Sequence, residues 1–173
     1  FCKSFEYIRQ MSRRSPRFEC AFGSPSGQMD MLPKPTAGRL PMLITGGSQQ
    51  DPDWLARNGD GWMLYPRPVA AQAPVIRDWR ARMQLEGRPN QPILEPLYID
   101  LAEDPTTRPT PIHLGYRMGA NPLIEYLRNR KEIGVNHVAL NLRFNRADTE
   151  ATMKRIADLV LPEFEAQENM ELA

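Results

Sequence analysis

The chain has 173 residues, is 41% hydrophobic, and carries 22 Lys and Arg against 21 Asp and Glu. That length suits one domain with its own core, and the near balance of charge gives no electrostatic case for nucleic acid or an acidic membrane. No apolar segment approaches the roughly 20 residues that span a bilayer, and the basic N-terminus lacks the apolar run of a secretory signal. A cytoplasmic protein is expected, with Cys2 and Cys20 as free thiols because no metal-ligand spacing surrounds them. Phe rather than Met at position 1 suggests a piece or a trimmed product of a longer protein.

Residues 1–39 read as an irregular lead-in. A short helix is expected over Ser4–Arg13, followed by a loop punctuated by Gly23, Pro25, Gly27, Pro33, Pro35 and Gly38. Pro41–Ile44 then forms a first strand, and Thr45-Gly46-Gly47-Ser48 lets the backbone turn sharply. Asp51 is a natural N-cap and Pro52 suits the first helical position. Asn58-Gly59 stops that helix, and Gly61–Tyr65 is the next strand. Pro68 opens a second helix with Val75, Ile76, Trp79 and Met83 at helical spacing until Gly87, and Pro74 marks a kink or its true start.

Ile93–Leu101 is the third strand, although Pro96 is awkward for a central position and suggests a bulge or an end. Residues 103–111 form a proline-rich loop, and HLGYRMG (113–119) reads as a turn. Asn121-Pro122 caps a helix through Ile133 that buries Leu123, Ile124 and Leu127, with Gly134 as its C-terminal cap. Val135–Phe144 is the fourth strand: Val138, Leu140 and Leu142 face one way, His137, Ala139 and Asn141 the other. Asp148 caps a last helix with Met153, Ile156, Ala157, Val160, Leu161 and Phe164 along one face. Pro162 kinks or ends it, and 166–173 is a polar tail.

Residues 40–165 therefore repeat a strand–helix unit four times, which implies parallel strands with right-handed crossovers. A doubly wound sheet and part of a barrel both fit. A covered open sheet should be apolar throughout, so His137 and Asn141 on one face favour the barrel.

Function in such folds gathers at the carboxyl ends of strands, here Thr45–Gln50, Tyr65–Arg67, Asp100–Asp104 and Asn141–Asn145. The Gly46–Gln49 loop offers backbone N–H groups to a phosphate, with an unliganded tight turn about as good a reading. Arg67 adds a bidentate anion contact or is simply solvated. Gly115–Gly119 is a rival anion site. Trp62 and Tyr65 suit a wall for a flat ring, or the core. His113 and His137 read as structural. Neither a Cys/His metal cluster nor a serine elbow with a His partner stands out.

The runs ITGGSQQDPDWLARNGDGWMLYPR (44–67), HLGYRMGANPLIEYL (113–127) and IGVNHVALNLRFNR (133–146), with MLPKPTAGRLP (31–41) before and VLPEF (160–164) after, resemble the luciferase-like flavin monooxygenases, within them the luciferase-type oxidoreductases. The resemblance covers most of 30–165. It implies a TIM (β/α)8 barrel of which this chain supplies the C-terminal half, about four strands with their helices. It also implies an oxidoreductase that binds FMN, or in some relatives deazaflavin F420, and acts on a small organic substrate. Carried over residue by residue, it places the coenzyme at Thr45, Gly46, Gly47, Ser48 and Gln49 for the phosphate, with Trp62, Tyr65 and Arg67 nearby. No catalytic residue is implied, since the flavin carries the redox chemistry. The alternative is a non-catalytic half-barrel that dimerises, or joins the missing half, through its open edges.

Overall fold

The computed structural model describes residues 1–165, so the expected polar tail lies outside the described residues. The sheet is organised on one long strand, β3 (Ile93–Leu101), flanked by short ones. β1 (Ile44–Thr45) pairs with β2 (Trp62–Met63), and β2 pairs with the start of β3, all parallel. β6 (His137–Asn141) runs parallel to β3 on its other side. The order β1-β2-β3-β6 follows the chain, as consecutive staves of a barrel do, without the reversal of a doubly wound sheet. The first two strands are shorter than their apolar runs because regular pairing covers two residues in each. Irregular bonds extend it backward, from Asp60 N to Met42 O and from Ile44 N to Gly61 O.

Backbone parity explains how Pro96 sits inside a central strand. Pro92 O and Leu94 O accept from Trp62 N and Leu64 N, and Tyr98 N donates to Leu114 O, so even-numbered residues address β2 and then β5 (Gly115–Met118). Odd-numbered residues address β6, where Asn136 N donates to Ile93 O. Pro96 falls in the gap where β2 has ended and β5 has not begun, so its missing N–H costs no ladder bond. The bulge or strand end expected there is absent, and the strand runs through.

HLGYRMG is not a turn. Thr110–Ile112 (β4) and Gly115–Met118 form an antiparallel hairpin laid along the outer half of β3. Leu114 takes a φ of 53° at its tip, a conformation that leucine rarely adopts, so local preference does not announce the turn.

Two of the helices open on aspartate side-chain caps, whereas the expected Asn121-Pro122 cap falls inside the first turn of a helix capped at Gly119. α1 spans Cys2–Met11. α2 (Pro52–Asn58) is capped by Asp51, whose carboxylate accepts from Trp54 N at 2.7 Å. α3 (Val69–Leu85) runs through Pro74, which neither starts nor ends it. α4 (Ala120–Glu132) closes where Gly134, at φ 98°, donates to Lys131 O. α5 (Thr149–Leu159) begins at Asp148, which accepts from Ala151 N, and Pro162 starts a separate turn, α6 (Pro162–Glu165).

One face of β3 is sealed by these helices. Ile93 joins Ile44, Leu55, Trp62, Ile76, Trp79 and Met83 in one cluster, while Leu97, Ile99 and Leu101 join Met118, Leu123, Ile156 and Val160 in another. Met153 and Leu161 of the expected apolar face of α5 remain exposed, so that face is narrower than its periodicity suggests. At the amino end of β2, buried Asp60 gathers Arg9, Arg39 and Arg88 and accepts from Met42 N, which ties the lead-in to the first βα unit.

Candidate functional site

Residues paired across parallel strands share a face, so the register gives what the other side of the sheet presents. Thr45, Met63, Leu94 and His137 form one row across four strands. Pro96 with Ala139, and Tyr98 with Asn141, form the next two rows. This is the face expected to look into a barrel, and His137, Ala139 and Asn141 stand on it together. Thr45, His137 and Asn141 are exposed there. Val138 and Leu140 face the helices and pack on the upper core, as their alternation with the polar residues requires.

Two groups of polar atoms lie at the carboxyl ends bordering this face. The first is the loop after β1. Gly46, Ser48 and Gln49 all have positive φ, at 55°, 46° and 57°. Gly46 N is spent on Met63 O, Ser48 Oγ donates to Thr45 O, and Gln50 N closes the turn on Gly47 O. Among the described residues, the amides of Gly47, Ser48 and Gln49 donate to nothing, and Gly47 and Gln49 are exposed. A backbone so folded costs strain at Ser48 and Gln49 of the order of 1–2 kcal/mol per residue.

Trp62 supports this loop from behind. Its ring is buried on the helix side, 5.3 Å from Trp79, and its Nε1 donates to Gly46 O at 2.7 Å. Tyr65 stands just past β2 and is 59% exposed. Arg67 is exposed as well; its carbonyl accepts from Arg130, and its guanidinium has no partner among the described residues. The loop, Tyr65 and Arg67 therefore border one end of the sheet, while Trp62 faces the core.

The second group was not singled out by the sequence as a unit, because three separate segments supply it. Asp100, 1% exposed, accepts from Arg117 Nη1 at 2.9 Å and from Arg146 N at 3.1 Å, and Arg146 Nε lies 3.3 Å away. Two residues earlier on the same face, Tyr98 packs against Phe144 at 5.2 Å and His113 at 6.1 Å. Arg117, read as part of an anion-binding turn, is instead a strand residue locked to this carboxylate. By strand geometry the two groups are about 16 Å apart, four residues along β3 and two strands across. Cys2 and Cys20 are free thiols, as expected, and Cys2 donates to Gln50 Oε1 behind the first loop. Among the described residues, no group of His, Cys, Asp and Glu is placed to hold a metal ion, and no helix is long and apolar enough to cross a membrane.

Solved structures share this architecture. The chain superposes on an F420-dependent secondary alcohol dehydrogenase with an F420-acetone adduct at a TM-score of 0.61 and 13% identity, covering 85% of this chain and 55% of that one. For DmoA from Hyphomicrobium sulfonivorans the TM-score is 0.62 at 13% identity, covering 90% and 47%. For EDTA monooxygenase from Chelativorans sp. BNC1 it is 0.58 at 12% identity, covering 87% and 50%. The fold is that of the luciferase-like barrels. The chain spans about half the length of these structures. Among curated sequences, an uncharacterised protein of Mycobacterium tuberculosis and its counterpart in Mycobacterium bovis are 35% identical over 60 residues, 33% of this chain and 21% of theirs. No family model matches.

Proposed function

We propose that the chain is the C-terminal half of a luciferase-like flavin-dependent oxidoreductase, and that the loop after β1 holds the coenzyme phosphate. The observation that carries this reading is the run of three undonated amides at Gly47, Ser48 and Gln49, at a strand end where such folds bind ligands. The residues fit a phosphate: three N–H donors lie in sequence, Thr45 stands at the loop's root, and Arg67 is an unspent cation past the next strand. Tyr65 is exposed beside them and suits one wall for a flat ring, whereas Trp62 acts by holding the Gly46 carbonyl. When bound, FMN or deazaflavin F420 supplies the redox chemistry; this chain's share is to bind and orient it. One fold neighbour is an F420-dependent dehydrogenase and two others are monooxygenases, which supports the class and leaves the choice of coenzyme to experiment.

FMN and riboflavin, which lacks the phosphate, separate the parts of this reading by isothermal titration. FMN should bind measurably tighter than riboflavin. Ser48→Asp puts a carboxylate among the three amides, in a left-handed conformation that aspartate tolerates. It should weaken FMN by about 10- to 100-fold, as expected of like charges roughly 5 Å apart near a protein surface, and leave riboflavin unchanged. Equal binding of the two flavins, or indifference of FMN to Ser48→Asp, would remove the phosphate assignment.

The half-barrel that pairs with another half stands as a second reading, favoured by one observation. The outer edges of β1 and β6 have no strand partner among the described residues. Light scattering of the chain alone should report a dimer; a monodisperse monomer contradicts self-pairing.

A further inference from the structure

The amino-end aspartate and the carboxyl-end aspartate collect guanidiniums in different ways. Around Asp100, Arg117 and Arg146 pair with that one carboxylate, and Arg143 lies over the Phe144 ring at 5.7 Å. Among the described residues, no other carboxylate pairs with these three arginines, and none of their guanidiniums donates to a carbonyl. Two cations thus share one anion, and a third, Arg143, lies over the neighbouring ring with no carboxylate partner among the described residues. Immediately beside them, Tyr98, Phe144 and His113 form an edge-and-tilt aromatic group, with Tyr98 on the sheet face opposite the one the helices seal. Phe144 remains 39% exposed, an apolar ring under the Arg143 guanidinium.

We infer that the carboxyl end of β3 is a subsite for a small organic acid with a planar apolar body. Its carboxylate is held by Arg146 and Arg143 with Arg117 behind them, and its body lies against Phe144 and Tyr98. Asp100 is a positioning residue: buried, it fixes the Arg117 side chain and the Arg146 backbone, so the donors are held in place before the ligand arrives. Arginines chelate carboxylates in a fork and stack on aromatic faces, which is why this pairing selects an aromatic or similarly flat acid over a neutral ring. Naming the ligand a substrate rests on the coenzyme reading above; its recognition does not.

Calorimetric titration of the 173-residue chain with benzoate and with benzamide, its neutral counterpart of the same shape, tests this without any coenzyme. Benzoate should bind at least tenfold tighter, and the advantage should shrink with added salt. Arg143→Ala with Arg146→Ala should abolish that preference while circular dichroism shows an unchanged fold and FMN affinity stays the same. Arg146→Lys should retain part of it. Equal binding of benzoate and benzamide, no binding of either, or a preference that survives the double substitution would overturn the inference. If FMN displaces benzoate and riboflavin does not, the anion site belongs to the coenzyme and the inference falls. Benzoate binding without FMN binding would leave it standing and remove the coenzyme reading instead.

Discussion

Two buried aspartates, one at each end of the sheet, gather arginines to opposite purposes. At the amino end of β2, Asp60 holds Arg9, Arg39 and Arg88, and two of those arginines also donate to the final carbonyls of α2: Arg9 to Asn58 O at 2.5 Å and Arg88 to Ala56 O at 2.7 Å. Those cations are consumed by a helix C-terminus, where positive charge is favourable. Burial lowers Arg88 below the ordinary guanidinium range, with Asp60 opposing. At the carboxyl end of β3, Asp100 holds two arginines that have nothing further to do. The same ion-pair chemistry is a clamp where its donors are spent and a candidate recognition site where they are not.

Removing the clamp should have the largest effect. Asp60→Ala removes the buried carboxylate that three partly exposed arginines and Met42 N share, and should cost about 2–3 kcal/mol, read as a lowered urea midpoint. It should also expose the lead-in through residue 43 to limited proteolysis, because the tie to Met42 N goes with it.

A third buried acid extends the contrast through pH. Glu95, 0% exposed on the helix side of β3, has neither carboxylate oxygen hydrogen-bonded and lies 3.4 Å from Arg130 Nε. Burial holds its carboxyl above the ordinary 4.5, with Arg130 pulling the other way. The folded chain therefore keeps a proton that the unfolded chain has lost. This contribution is intact below pH 4.5 and declines as the pH climbs through the folded value, with a slope of at most about 1.4 kcal/mol per pH unit. Thermal melts should show that decline over the acidic range, and Glu95→Gln should flatten it.

Smaller effects are expected at the ligand end. Asp148→Ala removes the α5 cap and should cost about 1 kcal/mol in urea titrations. Arg146→Ala, at a side chain 75% exposed, should change stability by less than about 0.5 kcal/mol. A loss as large as that of Asp60→Ala would make Asp100 a second clamp and erase the distinction.

What the sequence made legible was local. Asp51 and Asp148 open their helices and Gly134 closes one as their types demand, and the bounds of β3 agree because Pro92 and the acidic run before Pro105 flank a segment with six apolar or aromatic residues in nine. Facing was harder. The side on which Trp62 lies is set by its register with Ile93, not by a two-residue strand's own pattern, so the sequence left ring wall and core both open and the register decides for the core, from which Trp62 braces the loop. The hairpin at 110–118 was hidden because Leu114 adopts a turn conformation its side chain disfavours and tertiary pairing with β3 decides the matter. The Asp100 group was hidden by distance along the chain: its members come from β3, β5 and the loop after β6, which only the folded sheet brings together.

The coenzyme reading requires the free backbone amides after β1 to receive a phosphate, and those amides can report on it themselves. In nitrogen-15 spectra of the labelled chain, FMN should move the resonances of Gly47, Ser48 and Gln49, and riboflavin should leave those three in place. Shifts confined to Arg117, Arg143 and Arg146, or the same response to both flavins, would contradict it.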